Sequence, residues 1–462
     1  MMRNIVFLSI PTLREKDLEK LPALNRIMKP KGAVATLTPS FPCVTCSVQA
    51  NMTTGLLPNK HGVIGNGIWS PETQKLTMWT FTNESVQQSQ MWDLISHHPD
   101  TPRTAVWFAL QAVDCEADFV CTHKPIHNPD GTEELWCYTR YPNLYRELMQ
   151  EYGHFPLQNY WGPMANITSG NWVANSATWL AAKEVPEFFY IYVSHPDYAP
   201  QRFGVDSPEV DRMLGELNTL LDTYITKFEE AYEDDITWFV AGEYAMTDVD
   251  HTLFPNRLLR EAGLLKVKES DGKTPSPIRS VTRDYEVFQG ELPDMAESRA
   301  FAYCDHQFAH VYVPDHDSEV IRKVAQLFEK QEGVAEVLVG ADIEKYGLNH
   351  ERSGDVILMS TPNSWMQYYW WLDDAKAPDF ARRVDIHQKP GYDPCEQFID
   401  FATRSIPLDV TRVKASHGAV ARDRSQKSVF LCSDAQFLPV KELRDVDVFH
   451  LVMESTWYKN RK

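Results

Sequence analysis

The residues of this sequence best suited to chemistry cluster between positions 39 and 67. Ser40, Thr45 and Ser47 bring hydroxyls to the head of a predicted helix over 45–55, and a turn rich in Gly and Pro follows, up to Gly67. A hydroxyl at a helix N-terminus sits in positive backbone potential, which attracts an anion and lowers the cost of an alkoxide. The same position also serves as an ordinary helix cap before a loop, and the segment alone does not choose between the two. Elsewhere the ligand-type side chains are Asp197 behind an apolar stretch, His417 in Ser416-His417-Gly418, and two Asp–His pairs, Asp305-His306 and Asp385-Ile386-His387. Carboxylate oxygens and imidazole nitrogens hold divalent cations; a buried Asp–His hydrogen bond or a turn cap uses the same residues. In a strand, Asp385 and His387 would share one face, with Arg382, Arg383 and Lys389 adding positive charge for an anionic substrate. Cys43 and Cys46 form a lone C-x-x-C, without the second pair that structural zinc would require.

The run Thr54-Gly55-Leu56-Leu57-Pro58-Asn59-Lys60-His61-Gly62 resembles the T-G-L-x-P-x-x-H-G turn of the nucleotide pyrophosphatase/phosphodiesterase branch of the alkaline phosphatase superfamily. Thr45 stands ten residues before Gly55, and Asn66 stands 21 residues after Thr45, the spacing of that branch. The resemblance implies that Thr45 attacks phosphorus or sulfur to form a covalent intermediate, while Asn66 donates to the oxygen that gains charge. His61 would fix the turn, and Ser40 and Ser47 are weaker candidates. Pro196-Asp197-Tyr198-Ala199-Pro200-Gln201-Arg202-Phe203-Gly204 is similar to the branch's P-D-x-x-G-H-x-x-G, with Gln201 in place of the His. Asp197 and His417 are thereby implied as ligands of a divalent metal, zinc foremost, with magnesium or manganese as alternatives.

Two departures qualify this. The branch opens with a strand ending in a metal-bridging Asp; here the first strand runs into Pro11. Its later D-H-G is replaced by Glu243-Tyr244-Ala245, in which Glu243 can still ligate but Tyr244 is a poor replacement. The expected ligand set is therefore Asp197, His417, Gln201 and Glu243, with Asp385, His387, Asp305 and His306 as alternative donors. Tyr244 and Lys389 are expected on the substrate side. The implied activity is metal-dependent hydrolysis of phosphate diesters, pyrophosphates or related phospho or sulfo esters. A non-catalytic relative that binds an anionic ligand or a partner protein is the competing reading.

These residues must be positioned by alternating strands and helices. Strands are predicted over 4–10, 33–38, 104–108, 187–195 and 236–240, and helices over 15–28 and 208–228, the latter from apolar residues at helical spacing. Such alternation implies an α/β fold with a mostly parallel central sheet, whose ligands gather at the carboxyl ends of its strands. Residues 298–360 read as a small inserted α+β cap, leaving 1–297 and 361–462 as the core. The run Trp365 to Trp371 is unusually aromatic and serves either a pocket or the core.

Composition narrows the partners. A hydrophobic fraction of 43% with 13 Trp supplies a core. The formal charge of −19, from 45 basic and 64 acidic residues, disfavours nucleic-acid polymers and anionic membranes. A small anionic substrate would need a local positive element. No apolar run approaches the roughly 20 residues of a membrane span, and eight scattered cysteines fit a reducing compartment. A cytoplasmic monomer or homodimer is expected.

Overall fold

The computed structural model describes residues 3–127, 133–233, 235–270, 290–387 and 389–456. Its main sheet takes β1 (Ile5–Ser9), β2 (Ala33–Thr38), β3 (Thr104–Trp107), β4 (Phe119–His123), β5 (Cys137–Thr139), β6 (Phe188–Tyr192) and β7 (Thr237–Ala241). A second sheet interrupts the chain with β8 (Phe301–Asp305), β9 (Phe308–Tyr312), β10 (Val334–Val339) and β11 (Val356–Ser360). The chain then returns to the first sheet with β12 (Ser428–Cys432) and β13 (Glu442–Arg444).

The main sheet has the order β13-β2-β12-β7-β1-β6-β3-β4-β5. Its centre is parallel, with Ile5 opposite both Phe188 and Thr237, while β12 and β5 run antiparallel to their neighbours. Every residue of β1, β6 and β7 is buried, which suits strands covered on both faces and read as continuous apolar runs. The Pro208–Ala231 helix buries Val210, Met213, Leu214, Leu217, Leu220, Leu221, Tyr224, Ile225 and Phe228 along one stripe and packs on the Ile167–Glu184 helix. Ser207 caps its start by accepting from the Val210 N–H at 3.3 Å.

The helix expected over 15–28 divides at Leu21-Pro22. A 3-10 turn covers Glu15–Lys20, and a short α-helix restarts at Pro22–Ile27. Proline has no N–H to give the preceding turn, yet it fits the first position of a new helix. In the second sheet, ordered β8-β9-β11-β10, Asp305 ends β8. His306, at φ 57°, and Gln307 turn the chain into β9. That turn is tied to the main body, since the Gln307 N–H donates to the His417 carbonyl at 3.0 Å. The aromatic run is core: Trp365, Tyr368, Tyr369, Trp370 and Trp371 are all at most 1% exposed.

Candidate active site

Strand ends and one helix start bring the chemistry together. The Thr45–Thr54 helix is buried throughout and begins on Thr45 itself. Just past β7, Gly242 leaves no room for a side chain, because a Cβ there would meet the Leu13 carbonyl oxygen at 2.7 Å. Glu243 and Tyr244 follow, and Tyr244 Oη lies 2.8 Å from Thr45 Oγ1 and 3.1 Å from Asp197 Oδ1. An ionised carboxylate only accepts, so the phenol hydrogen goes to Asp197 and the Thr45 hydrogen goes to the phenol oxygen. The result is a directional chain from hydroxyl to phenol to carboxylate.

Asp197 sits in the short turn after β6, and its Oδ2 accepts from Gln201 Nε2 at 3.0 Å. Burial pushes its carboxyl up to about 6, against the opposing pull of His306, Tyr244 and Gln201. The His417 ring lies flat on Tyr244, centroids 3.8 Å apart. Its Nδ1–H donates to the Cys43 carbonyl at 2.8 Å, which fixes the tautomer and leaves a lone pair on Nε2. Nε2 is buried without a hydrogen-bond partner and faces Asp197 Oδ1 at 4.0 Å. Burial, and then the neighbouring His306, hold this imidazole well below its ordinary pKa.

Asn66 is held from both ends. Its Oδ1 accepts from the Cys46 N–H at 3.0 Å, and its Nδ2 donates to Asp305 Oδ1 at 3.1 Å. Asp305 also accepts from the Asn66 N–H, Tyr303 Oη and His306 Nδ1 at 2.8, 2.6 and 2.6 Å. Burial alone would raise the Asp305 carboxyl; the bond and charge of His306 outweigh it, and the net shift is downward. His306 stacks on Tyr392 at 3.6 Å and lies 4.0 Å from the His417 ring. Asp305 and His306 thus meet the site as an Asp–His hydrogen bond.

The remaining candidates are placed otherwise. Gln201 Oε1 accepts from Tyr392 Oη at 2.6 Å and Gln397 Nε2 at 2.8 Å, which uses the oxygen that ligation would require. Glu243, wholly buried, accepts from Ser9 at 2.5 Å and Gln49 at 3.0 Å, and burial raises it to about 8. Lys389 does not face a substrate: it is wholly buried between Asp393 at 2.8 Å and Glu396 at 2.9 Å. Asp385 and His387 lie in irregular chain rather than on a strand, and Gln388 falls outside the described residues. Both nevertheless line the cavity that Thr45 lines. Ser40 bonds to Asp445 and Ser47 to the Val63 carbonyl, away from Tyr244. His61 braces the turn through Asn51 at 2.8 Å and the Val63 N–H at 3.1 Å. Cys43 and Cys46 are buried with raised thiol pKa, against redox reactivity.

The cavity holds about 430 Å³ above Thr45 and Asp197. Trp79, Phe81, Tyr160, Trp161, Tyr198 and Tyr392 give it aromatic walls, and Arg382, Arg383 and Arg404 bring cationic groups to its lining.

The donors present do not fit the divalent-ion site implied by the resemblance. Among the described residues no group of three or more His, Cys, Asp or Glu side chains is arranged to hold an ion. Asp197 and His417 remain as a pair. Zinc bonds of about 2.1 Å at a tetrahedral angle would bring their donor atoms to about 3.4 Å. Their 4.0 Å separation would instead open that angle to about 145°.

Sequence reasoning missed Gln49, which joins Glu243 to the Leu110 N–H at 3.1 Å, and Tyr392, which buttresses both Gln201 and His306. Nothing in their local pattern marks either one; contacts 194 and 191 residues away in sequence give them their roles.

The sequence matches the type I phosphodiesterase / nucleotide pyrophosphatase family over residues 5–393. No curated protein matches the chain in sequence. Among solved structures, phosphonoacetate hydrolase from Sinorhizobium meliloti 1021 in complex with phosphonoformate is similar at TM-score 0.60 and 16% identity, covering 98% of this chain and 96% of that one. Murine ectonucleotide pyrophosphatase / phosphodiesterase 5 in complex with AMP is similar at TM-score 0.60 and 12% identity, covering 100% and 96%. The human form gives TM-score 0.60 at 13% identity with the same coverage. At these identities the structures speak for the fold.

Proposed function

The chain belongs to the type I phosphodiesterase / nucleotide pyrophosphatase family, and on that premise we propose that it hydrolyses a small phosphate diester, pyrophosphate or related phospho or sulfo ester through a covalent Thr45 intermediate. The observation that carries this is the 2.8 Å contact of Thr45 Oγ1 with Tyr244 Oη, itself bonded to Asp197. As Thr45 attacks, its proton passes to Tyr244 while the Tyr244 proton passes to Asp197. The Thr45 Oγ1–phosphorus bond forms and the leaving oxygen departs, taking a proton from solvent. The positive end of the Thr45–Thr54 helix would favour the charge that develops, and Asn66, tied by its Oδ1 to the Cys46 N–H next to Thr45, would offer the Nδ2 hydrogen not given to Asp305.

Substrate charge follows from the surroundings. The nucleophile lies near Asp197, and among the described residues no cationic side chain bonds to Thr45, so a singly charged diester suits the floor better than a dianionic monoester. Aromatic walls suit an apolar or flat leaving group, and the arginines of the lining offset the overall charge of −19. A cavity of about 430 Å³ suits a small molecule, and the formal charge of −19 disfavours a nucleic-acid polymer. Eight unpaired cysteines favour a reducing compartment such as the cytoplasm, and a monomer or homodimer is proposed. Among the described residues no helix is long and apolar enough to cross a membrane.

The test is a panel of nitrophenyl phosphate mono- and diesters followed by acid quench and mass analysis. Turnover of a diester with a phosphoryl adduct on Thr45, both lost in Thr45→Ala, is expected. The incomplete ligand set favours a second reading, binding of an anion without turnover. Wild type and Thr45→Ala would then bind the diester equally, with no adduct and no product.

A further inference from the structure

His417 Nε2 and Asp197 Oδ1 are both acceptors, they face each other at 4.0 Å, and the nitrogen is buried without a hydrogen-bond partner. Two acceptors in that position repel unless something between them donates. A divalent cation is poorly served, because no third ligand joins the pair among the described residues and because 4.0 Å would force an angle of about 145° at zinc. A molecule with two hydrogens to give is well served. Donor contacts of about 2.8 Å to each acceptor subtend about 90° across 4.0 Å, close enough to the water angle for two bent hydrogen bonds. The nitrogen cannot turn away, because Nδ1 is tied to the Cys43 carbonyl and the ring is packed on Tyr244.

We propose that His417 and Asp197 form a water-holding pair in place of a metal site, and that the water they hold cleaves the Thr45 ester. This rests on Thr45 being the nucleophile. The water oxygen bonds to phosphorus as the Thr45 Oγ1–phosphorus bond breaks, and one water proton moves to His417 Nε2. Thr45 regains its proton from Tyr244 while Asp197 returns the one it took in the first step. His417 then releases its proton to solvent, which balances the proton given earlier to the leaving oxygen. Tyr244, Asp197 and His417 together carry both half-reactions with side chains alone.

The experiment has two arms on the full-length protein. In the first, purified wild type is analysed for bound metals and titrated with zinc by calorimetry. No stoichiometric metal and no site-specific heat are expected; one tightly bound ion per chain, lost in His417→Ala, overturns the proposal. In the second, nitrophenol release is followed from its first turnover. Wild type should turn over steadily, whereas His417→Ala should release one equivalent and then run about 100-fold slower, with phosphorylated Thr45 accumulating. If the first turnover and the steady rate fall together, with no accumulation, His417 does not serve the second step. His417→Asn, which retains an acceptor in a smaller side chain, guards against a folding defect in the alanine variant and should lie between the two. If wild type shows no turnover and no adduct, the hydrolase function itself fails, and the zinc titration still decides between cation and donor at the pair.

Discussion

Tyr244 touches Thr45 hydroxyl to hydroxyl at 2.8 Å while its ring covers His417 at 3.8 Å. One side chain therefore orients the Thr45 hydroxyl, the proposed nucleophile, and closes off the face of the imidazole. Its phenol is held well above the ordinary tyrosine pKa by burial and by the charges of Asp197 and Glu243, so in the proposed reaction it would relay a proton without becoming a phenolate. Tyr244→Phe keeps the ring and deletes the relay. It should lower kcat by about 100- to 1,000-fold, with KM little changed. The variant's stability should change by only about 1–2 kcal/mol, the value of a buried hydrogen bond. Steady-state kinetics beside urea unfolding would check this; a variant as active as wild type would remove Tyr244 from the chemistry.

Glu243 makes stability depend on pH. Burial raises its carboxyl to about 8 from the ordinary 4.5, and one oxygen has no bonding partner. Between those values the folded chain keeps a proton that the unfolded chain has released. Stability from this group therefore falls as pH rises from about 4.5 to about 8, by at most about 1.4 kcal/mol per pH unit, and levels off above. Asp197, raised to about 6, acts in the same direction over a lower range. Glu243→Gln keeps an acceptor for Ser9 and Gln49 and has no proton to lose. Urea midpoints at unit steps from about pH 6 to about pH 9 should fall more steeply with pH in wild type than in the variant up to about pH 8, and run parallel above it. Equal slopes in both would place the titration elsewhere.

What the sequence discloses about the site follows from how local each feature is. Thr45, Asn66 and the turn through Gly62 lie in one short stretch, where hydroxyls, glycines and proline dictate a helix start and its exit. Asp197 and Glu243 follow strands whose apolar runs are visible in the sequence, so the carboxyl edge could be located from pattern alone. What Gln201, Lys389 and Glu243 do there could not be. Each has a side chain able to ligate or bind substrate; for Gln201 and Glu243 the partners that decide otherwise come from distant segments, Gln397 and Gln49. Those of Lys389, Asp393 and Glu396, lie close in sequence but in a stretch outside any strand or α-helix, whose pattern does not show which way it folds. The aromatic run Trp365 to Trp371 is a similar case: large rings at close spacing suit a pocket wall or a core equally, and packing of Tyr368 to Trp371 with strands of the second sheet, and of Trp365 with Val249, Cys395 and Val413, settles it as core.

Lys389 carries the largest expected effect on stability. It is wholly buried, with its ammonium between Asp393 and Glu396. Burial pushes its pKa down, but the two carboxylates outweigh this and the net shift is upward. Glu396 in turn accepts from Trp161 Nε1 at 2.8 Å and the Asp385 N–H at 3.0 Å, and Trp161 and Asp385 both line the cavity. Lys389→Met fills similar volume but strands two buried carboxylates, which should cost about 3–5 kcal/mol. Adding Glu396→Gln should recover part of that loss, because one of the stranded charges is gone while Trp161 keeps an acceptor. The single variant should also raise KM for a diester more than it lowers kcat, since it disturbs a cavity wall and leaves Thr45, Tyr244 and Asp197 in place. Urea unfolding of the single and double variants, with kinetics in parallel, tests both claims. If Lys389→Met is as stable as wild type, the buried charges are not held as the structure places them.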